Sequence, residues 1–564
     1  MRPVSRLMTV AALLAATALI PAAAIARPHG PPTQLDAGAV ATSDVYGAQA
    51  AREIMRAGGN AADAAVAVAF VEAVTYPEAG NIGGGGLMTI MFNGKPYFLD
   101  YRETAPGKAG PDMYLDAKGE PITDLSLVGN LAAGVPGSVR GMSELHHRFA
   151  RLSWARDMAP AIRLARKGFH VPKGLVAEIN DSQDYFKTTN FSAYFGKTHV
   201  GALLKQPELA ATLARISKEG PDEFYTGKTA DLLVAQMQRG KIKGLITKAD
   251  LAAYKPVWRE PIVSDWRDMK VITAPPPSSG GVALLQLLQM KQDAAPLFDG
   301  ISLNTPQYIH LISEIEKRVF ADRAEYMGDP DFVKVPVSAL IDPAYNARRA
   351  RDIDPAKPSV TAGVKPGLEK HQTTHFSIID KWGNAISNTY TLNGSFGAGT
   401  VVEGAGFVLN DEMDDFSVKP GAPNQFGVIG GEANAIAPGK RPLSSMTPTI
   451  LTKDGKVSMV IGTPGGSRIF TWIFQMVADV YDYKLTLGNA QTQMRFHHQL
   501  FPENLIYSEP YATIGPDLTK ALGERGYKVE NQGWGGDIEA IQIIGRQPAP
   551  SSDPRARGYS LVIH

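Results

Sequence analysis

The 564-residue sequence contains no cysteine. Disulfides, thiolate nucleophiles, zinc ribbons and iron–sulfur clusters are thereby excluded, so covalent chemistry must use oxygen or nitrogen. An excess of one charge is also lacking: 57 Lys and Arg face 56 Asp and Glu, for a formal net charge of +1. Without basic runs there is no electrostatic footprint for nucleic acid. The phosphate-binding G-x-x-x-x-G-K-[ST], the zinc-protease H-E-x-x-H and the hydrolase elbow G-x-S-x-G are all absent. His497-His498 stands outside any such frame. After the first 26 residues no stretch is long and apolar enough to span a bilayer; the nearest, Ala61–Val74, carries Asp63 and Glu72.

What is present is the balance of a globular protein, with 44% hydrophobic and 20% charged residues. Length alone gives a prior of three or four domains. The 56 glycines and 40 prolines predict many tight turns and shaped loops. The chain opens with Arg2 and Arg6, an apolar run from Leu7 to Ile20, and the small-residue pattern Ala24-Ile25-Ala26. These are the parts of a secretory signal peptide cut after Ala26, which predicts export to the periplasm or medium and no membrane span after removal.

Along the chain, Ser43 is expected to cap a helix running to about Ala57, and Asn60 to cap the next, Ala61–Val74. Leu87–Phe92 and Pro96–Tyr101 flank Asn93-Gly94 as a hairpin. A helical region spans Ser138 to about Lys167, the Pro275–Gly281 loop leads into a helix at Val282–Met290, and Pro306–Tyr326 reads as a long amphipathic helix. From about Leu340 to Gln372, prolines among Ala, Arg, Lys and Asp suggest an exposed, mobile connection. Order returns at Thr373, where a β-branched, alternating strand runs to Ile379, turns, and comes back as Ala385–Leu392. A second hairpin, Thr447–Thr452 with Lys456–Gly462, precedes a turn at Thr463–Ser467 and a helix to about Tyr483. Strands and helices without strict alternation define an α+β protein.

Four places could carry chemistry. A threonine that begins a chain has its own α-amine as the base for its hydroxyl, and Thr373 stands where the irregular connection meets a strand. Gly465-Gly466 lies between a strand and a helix, where N–H groups can face a developing oxyanion or an anion. Asn410-Asp411-Glu412-Met413-Asp414-Asp415 is acidic but fails the EF-hand pattern; it is either a solvated loop or a grip for an ammonium. Arg102, within Asp100–Thr104, could hold a carboxylate with two parallel bonds or sit in a surface ion pair.

Taken together the sequence resembles the γ-glutamyltranspeptidases, within the N-terminal nucleophile hydrolases. The resemblance rests on Gly59–Ala64, Asn81–Gly85, Asp100–Glu103, Pro275–Gly281, Thr373–Ser377, Asn410–Phe416, Arg441–Met446 and Pro464–Arg468, in that order. It implies a four-layer αββα fold made by autocleavage between Gln372 and Thr373. A large subunit, 27–372, and a small subunit, 373–564, would remain together as a heterodimer. Thr373 would be nucleophile and base, Thr391 would orient its hydroxyl, and Gly465 and Gly466 would supply the oxyanion N–H groups. Arg102, Ser444 and Ser445 would hold the α-carboxylate of a γ-glutamyl donor such as glutathione, and Asn393, Glu412 and Asp415 its α-ammonium, on opposite sides. Water or an amino-acid or dipeptide amine would accept the γ-glutamyl group, with no metal or other cofactor.

One departure stands out. Some bacterial members carry a tyrosine in a loop that lids the donor pocket; the corresponding Pro423–Gly427 has Phe426 here, which keeps a ring but loses a hydroxyl bond. Two alternatives remain: a related acylase for glutaryl or cephalosporin side chains, and a non-catalytic periplasmic amino-acid-binding protein. Glutaryl donors lack the α-ammonium, so Glu412 and Asp415 favour γ-glutamyl donors over the first.

Overall fold

The computed structural model describes residues 34–122, 124–360, 373–419 and 431–564. The predicted signal segment, Gln372 and Phe426 lie outside these residues.

Strands with apolar side chains on both faces need cover on both sides. Seven antiparallel strands form one sheet, in the order Tyr559–Ile563, Gly38–Thr42, Thr374–Ile379, Ala385–Thr391, Gly85–Phe92, Lys95–Asp100 and Val257–Arg259. Six more form a second antiparallel sheet, in the order Gln547–Ser551, Glu539–Ile544, Lys456–Gly462, Thr449–Lys453, Met269–Thr273 and Ile262–Trp266. The sheets face each other. Ala39, Ala41, Met91, Ile379 and Ala385 from the first pack on Ile272, Ile450, Val460 and Ile541 from the second. Their neighbours in sequence, Val40, Ile90, Ile378 and Ile386, point the other way into a helical layer, as the two-residue period of a strand requires.

The space between the sheets is partly polar, and each polar group used there has a partner. Ser387 Oγ donates to the Ile461 carbonyl (2.9 Å) and accepts from the Thr449 N–H (2.9 Å). Ser377 Oγ donates to the Glu539 carbonyl, and Thr89 Oγ1 to the Pro448 carbonyl. These bonds join one sheet to the other and fix their relative position, since an unmet buried group would cost about 1–3 kcal/mol.

Helices Val45–Arg56, Ala61–Thr75, Ser138–Phe149 and Trp154–Lys167 cover the first sheet, and Gly280–Asp293, Pro306–Tyr326 and Ile469–Tyr481 cover the second. The four layers are therefore αββα, as the resemblance implied. Ala61–Thr75 is buried along its whole length. Its start is fixed by a capping box in which Asn60 accepts from the Ala62 and Asp63 N–H groups while Asp63 accepts from Asn60; such a cap contributes about 1 kcal/mol.

Three expectations need correction. The cap of the preceding helix is Asp44, which accepts from the Gly47 N–H; Ser43 instead bonds Thr374 Oγ1 at 2.7 Å, in the central sheet. Pro306–Tyr326 is not a surface amphipathic helix, because Tyr308 to Phe320 is buried without interruption. The connection expected from Leu340 to Gln372 is described only as far as 360, and that part, though largely exposed, holds a helix where an irregular run was expected. Pro343–Arg351 is a helix capped by Asp342, and Asn346 and Ala350 are buried. The segment is strapped to Pro306–Tyr326 by charged side chains reaching its carbonyls: Arg318 to Arg349 and Asp352, and Lys317 to Ser359. Leu340, Ala350 and Ile353 add a few apolar anchors to the second core, too sparse to show a period along the sequence.

Candidate active site

Antiparallel pairing sets Thr374 opposite Tyr390, which brings Thr373 and Thr391 together at the ends of adjoining strands. Their hydroxyl oxygens are 3.3 Å apart. Thr391 Oγ1 already accepts from the Asn393 N–H at 2.8 Å, so its own proton can turn toward Thr373. Gly84 lets this corner close: a Cβ there would collide with the Thr391 carbonyl, and one on Gly83 with the Val408 carbonyl. The run of glycines is thus a packing device, not a dinucleotide turn.

Gly465 and Gly466 have φ of +146° and +53°. Only glycine takes the first without strain, and a Cβ there would also press on Trp472. The turn opens a single 3₁₀ turn, Gly466–Arg468, which leads into Ile469–Tyr481. N–H groups at such a start lack intrahelical acceptors and lie at the positive end of the helix dipole.

Thr373 and Gly466 open on a small cleft that is also lined by Arg102, Arg323, Thr391, Asn393, Glu412 and Asp415, with Asn434, Ser444, Ser445 and Ser467 beyond. At one end the buried Arg102 is ion-paired with both Glu412 and Asp415, and Glu103 is 3.9 Å away. Arg102 also donates to the Pro442 and Leu443 carbonyls (3.3 and 3.2 Å). Three carboxyls crowd one guanidinium, more than a single cation can keep ionised. Burial pushes Glu103 up to about 8 and holds Glu412 and Asp415 above the ordinary carboxylate range, against the pull of Arg102. Glu412 Oε2 has no hydrogen-bond partner, and an unmet buried carboxylate oxygen invites a cation.

At the other end are hydroxyls. Ser278 and Ser279, in the Pro275–Gly281 loop, clamp 444–446: Ser279 N–H donates to the Ser444 carbonyl (2.8 Å), Ser444 N–H to the Pro277 carbonyl (2.9 Å), and Ser278 Oγ to the Met446 carbonyl (2.6 Å).

The acidic run splits into two jobs. Glu412 and Asp415 reach the cleft. Asn410 holds the frame by donating to the Gly83 and Gly134 carbonyls, Asp411 accepts from Gly394 N–H, and Asp414 accepts from Ser126. Of the residues to which the resemblance gave a catalytic or donor-gripping role, all but Gly465 line the one cleft; Gln372 is outside the described residues. Their arrangement differs in one respect: Arg102 is not across from the acidic grip but paired directly with it. Sequence reasoning missed Arg323 and Asn434. Arg323 follows Val319 and Phe320 by one turn on a buried face, and an arginine on an apolar face was the available signal. Asn434 donates to the Asp415 carbonyl and accepts from Leu443 N–H, which ties the two ends of the cleft together.

Other groups are structural. His497 and His498 are buried; His498 is pushed down to about 3 by burial, and His497 bonds Thr471 and Gln499. Asp63, His146 and Asp157 could in principle share a metal ion, but both Asp63 oxygens already accept backbone N–H groups from Asn60, Arg151 and Leu152.

A strand-end threonine at the mouth of an αββα sandwich, with a glycine turn beside it, is the plan of the N-terminal nucleophile hydrolases. The gamma-glutamyltranspeptidase family profile matches residues 47–563, and the chain belongs to that family of enzymes. It is 59% identical over 531 residues to the glutathione hydrolase proenzyme of Pseudomonas aeruginosa, covering 94% of this chain and 95% of that one. The gamma-glutamyltranspeptidase from Pseudomonas nitroreducens complexed with L-DON shares 56% identity with a TM-score of 0.57; the match covers 58% of this chain and 97% of that one. The cephalosporin acylase from Bacillus halodurans superimposes over 96% of this chain and 99% of its own, with a TM-score of 0.80 at 26% identity.

Proposed function

We propose that the protein is a glutathione hydrolase and γ-glutamyltransferase that is exported, cuts itself between Gln372 and Thr373, and works as a heterodimer of 27–372 and 373–564. The observation that carries this reading is the cleft itself: a threonine hydroxyl oriented by Thr391, with a partnerless Glu412 oxygen at one end and serine hydroxyls at the other. An α-amino-acid end is a zwitterion, and this is its complement. That 58% of this chain covers 97% of a relative's chain fits a separate large subunit.

In the cut enzyme Thr373 Oγ attacks the γ-carbonyl carbon of the donor and its proton passes to the Thr373 α-amine. An α-amine has an ordinary pKa of about 7.7–8.0, so a large fraction is neutral near pH 7. The oxyanion takes N–H bonds from Gly465 and Gly466, each such donor contributing about 3–4 kcal/mol to the barrier drop. Collapse breaks the C–N bond, and the α-ammonium returns the proton to the leaving amine. The resulting ester is cleaved by water, giving glutamate, or by an amino-acid or peptide amine, giving a new γ-glutamyl bond. Glu412, Asp415 and Asn393 hold the donor's ammonium; Arg102, Ser444 and Ser445 belong to the carboxylate side.

The acylase fold likeness makes glutaryl donors the second reading, and the partnerless Glu412 oxygen favours γ-glutamyl donors, which bring an ammonium to it, over glutaryl donors, which bring none. Turnover of γ-glutamyl against glutaryl p-nitroanilide tests the choice: the γ-glutamyl donor is preferred, and a glutaryl preference would overturn it. A denaturing gel tests the processing, with two unequal bands expected and a single full-length band ruling it out.

A further inference from the structure

Four charged side chains line the cleft: Arg102, Arg323, Glu412 and Asp415. Arg102 is committed to the two acids. Arg323, 7% exposed, is not. Among the described residues its partners are two serines. Its Nε donates to Ser279 Oγ at 3.0 Å, and its Nη2 to Ser445 Oγ at 3.1 Å. Burial pushes its guanidinium down to about 10, with Asp415 acting on it only at longer range.

A guanidinium donates and never accepts. Ser445 Oγ therefore spends a lone pair on Arg323 and must aim its proton elsewhere, and the cleft is beside it. Ser444 is set the same way, since its Oγ accepts from the Met446 N–H at 3.1 Å. Ser279 Oγ, while accepting from Arg323, donates to the Ser444 carbonyl at 2.9 Å and fixes that backbone. Two O–H donors thus converge on the cleft with a buried positive charge behind them, and no carboxylate within 4.0 Å neutralises that charge among the described residues.

We infer that Arg323 is a positioning and specificity residue for the donor's α-carboxylate: it polarises Ser445, holds Ser444 through Ser279, and adds a second buried positive charge to that of Arg102. This rests on the γ-glutamyl donor reading above. The mode of action is electrostatic and directional, so it bears on donor binding and on discrimination, not on the attack by Thr373.

The test compares γ-glutamyl p-nitroanilide with 4-aminobutanoyl p-nitroanilide, which keeps the amine and lacks the carboxylate. Charge-assisted hydrogen bonds contribute enough that Arg323→Met should raise the γ-glutamyl KM roughly 10–100-fold, with kcat changed by less than about threefold. The preference for γ-glutamyl over 4-aminobutanoyl should shrink by the same factor, and Arg323→Lys should recover part of it. Ser445→Ala should raise KM in the same direction, and the double variant should do little more than the worse single one. Parallel loss on both donors with the preference intact, or an unchanged γ-glutamyl KM, overturns the inference. Should Arg323→Met give no soluble chain, Arg323→Lys and Ser445→Ala decide by the same preference ratio. Failure of the unsubstituted enzyme to use γ-glutamyl donors at all would refute the underlying reading instead.

Discussion

Arg102 and Arg323 are buried in one cleft, yet the first is enclosed by three carboxyl groups and the second by serine hydroxyls. Burial alone pushes a guanidinium down; at Arg102 the neighbouring acids more than reverse this, and at Arg323 nothing does. The same side chain therefore does opposite things. Arg102 holds together an acidic end that would otherwise come apart, and it leaves Glu412 Oε2 there still without a donor. Arg323 keeps the hydroxyl end short of one anion. A zwitterion answers both deficits at once.

Thr373, the proposed nucleophile, lines the same cleft, and its loss should have the largest effect. Thr373→Ala should remain one uncut chain and lose at least about 10⁴-fold in turnover; normal cutting on a gel would move the nucleophile elsewhere. The two arginines should then part company in stability. Arg102→Met strands buried carboxyls and should cost about 3–5 kcal/mol in chemical denaturation. Arg323→Met removes a buried charge that no acid pairs, and should be close to neutral. Equal losses would erase the contrast. Next, Glu412→Gln keeps the shape of the acidic end but removes a charge. A loss of about 10–100-fold in kcat/KM on γ-glutamyl donors is expected, with a smaller loss on glutaryl donors; equal losses would take Glu412 out of ammonium recognition.

The smallest effect lies outside the cleft. Burial, with Asp63 beside it, pushes Asp157 up to about 9, and Glu72, buried near Asp44 and bonded by Thr42 and Tyr390, up to about 8. Both are raised above their unfolded values, so each favours the folded state fully below its ordinary value of about 4 and loses that contribution progressively as pH climbs from there to about 8–9. Melting temperature should fall from pH 7 to pH 9.5, and Asp157→Asn, neutral throughout, should flatten the fall by about 2–4 °C or less. An unaltered slope would mean that Asp157 is ionised at pH 7.

How much of this could be read beforehand depended on range. Asn60 was legible because its capping partners are two and three residues away, and Asn93-Gly94 because the turn is complete in itself. Ser43 misled because its hydroxyl is used 331 residues later on Thr374, leaving the cap to Asp44. The segment 340–360 looked loose because its bonds come from Arg318 and Lys317 of another helix. Layer order came from family resemblance, since no local pattern says that Gly38–Thr42 pairs with Tyr559–Ile563. The cleft residues were found the same way. Arg323 was not, because its meaning lies in Ser279 and Ser445, which only the fold brings near.

N-terminal sequencing of the smaller fragment from the purified enzyme tests the central claim most directly. Thr-Thr-His-Phe-Ser, the run from Thr373 to Ser377, is the predicted result. A chain that shows no such end by mass spectrometry, remains in one piece, and still turns over γ-glutamyl donors at full rate would contradict it.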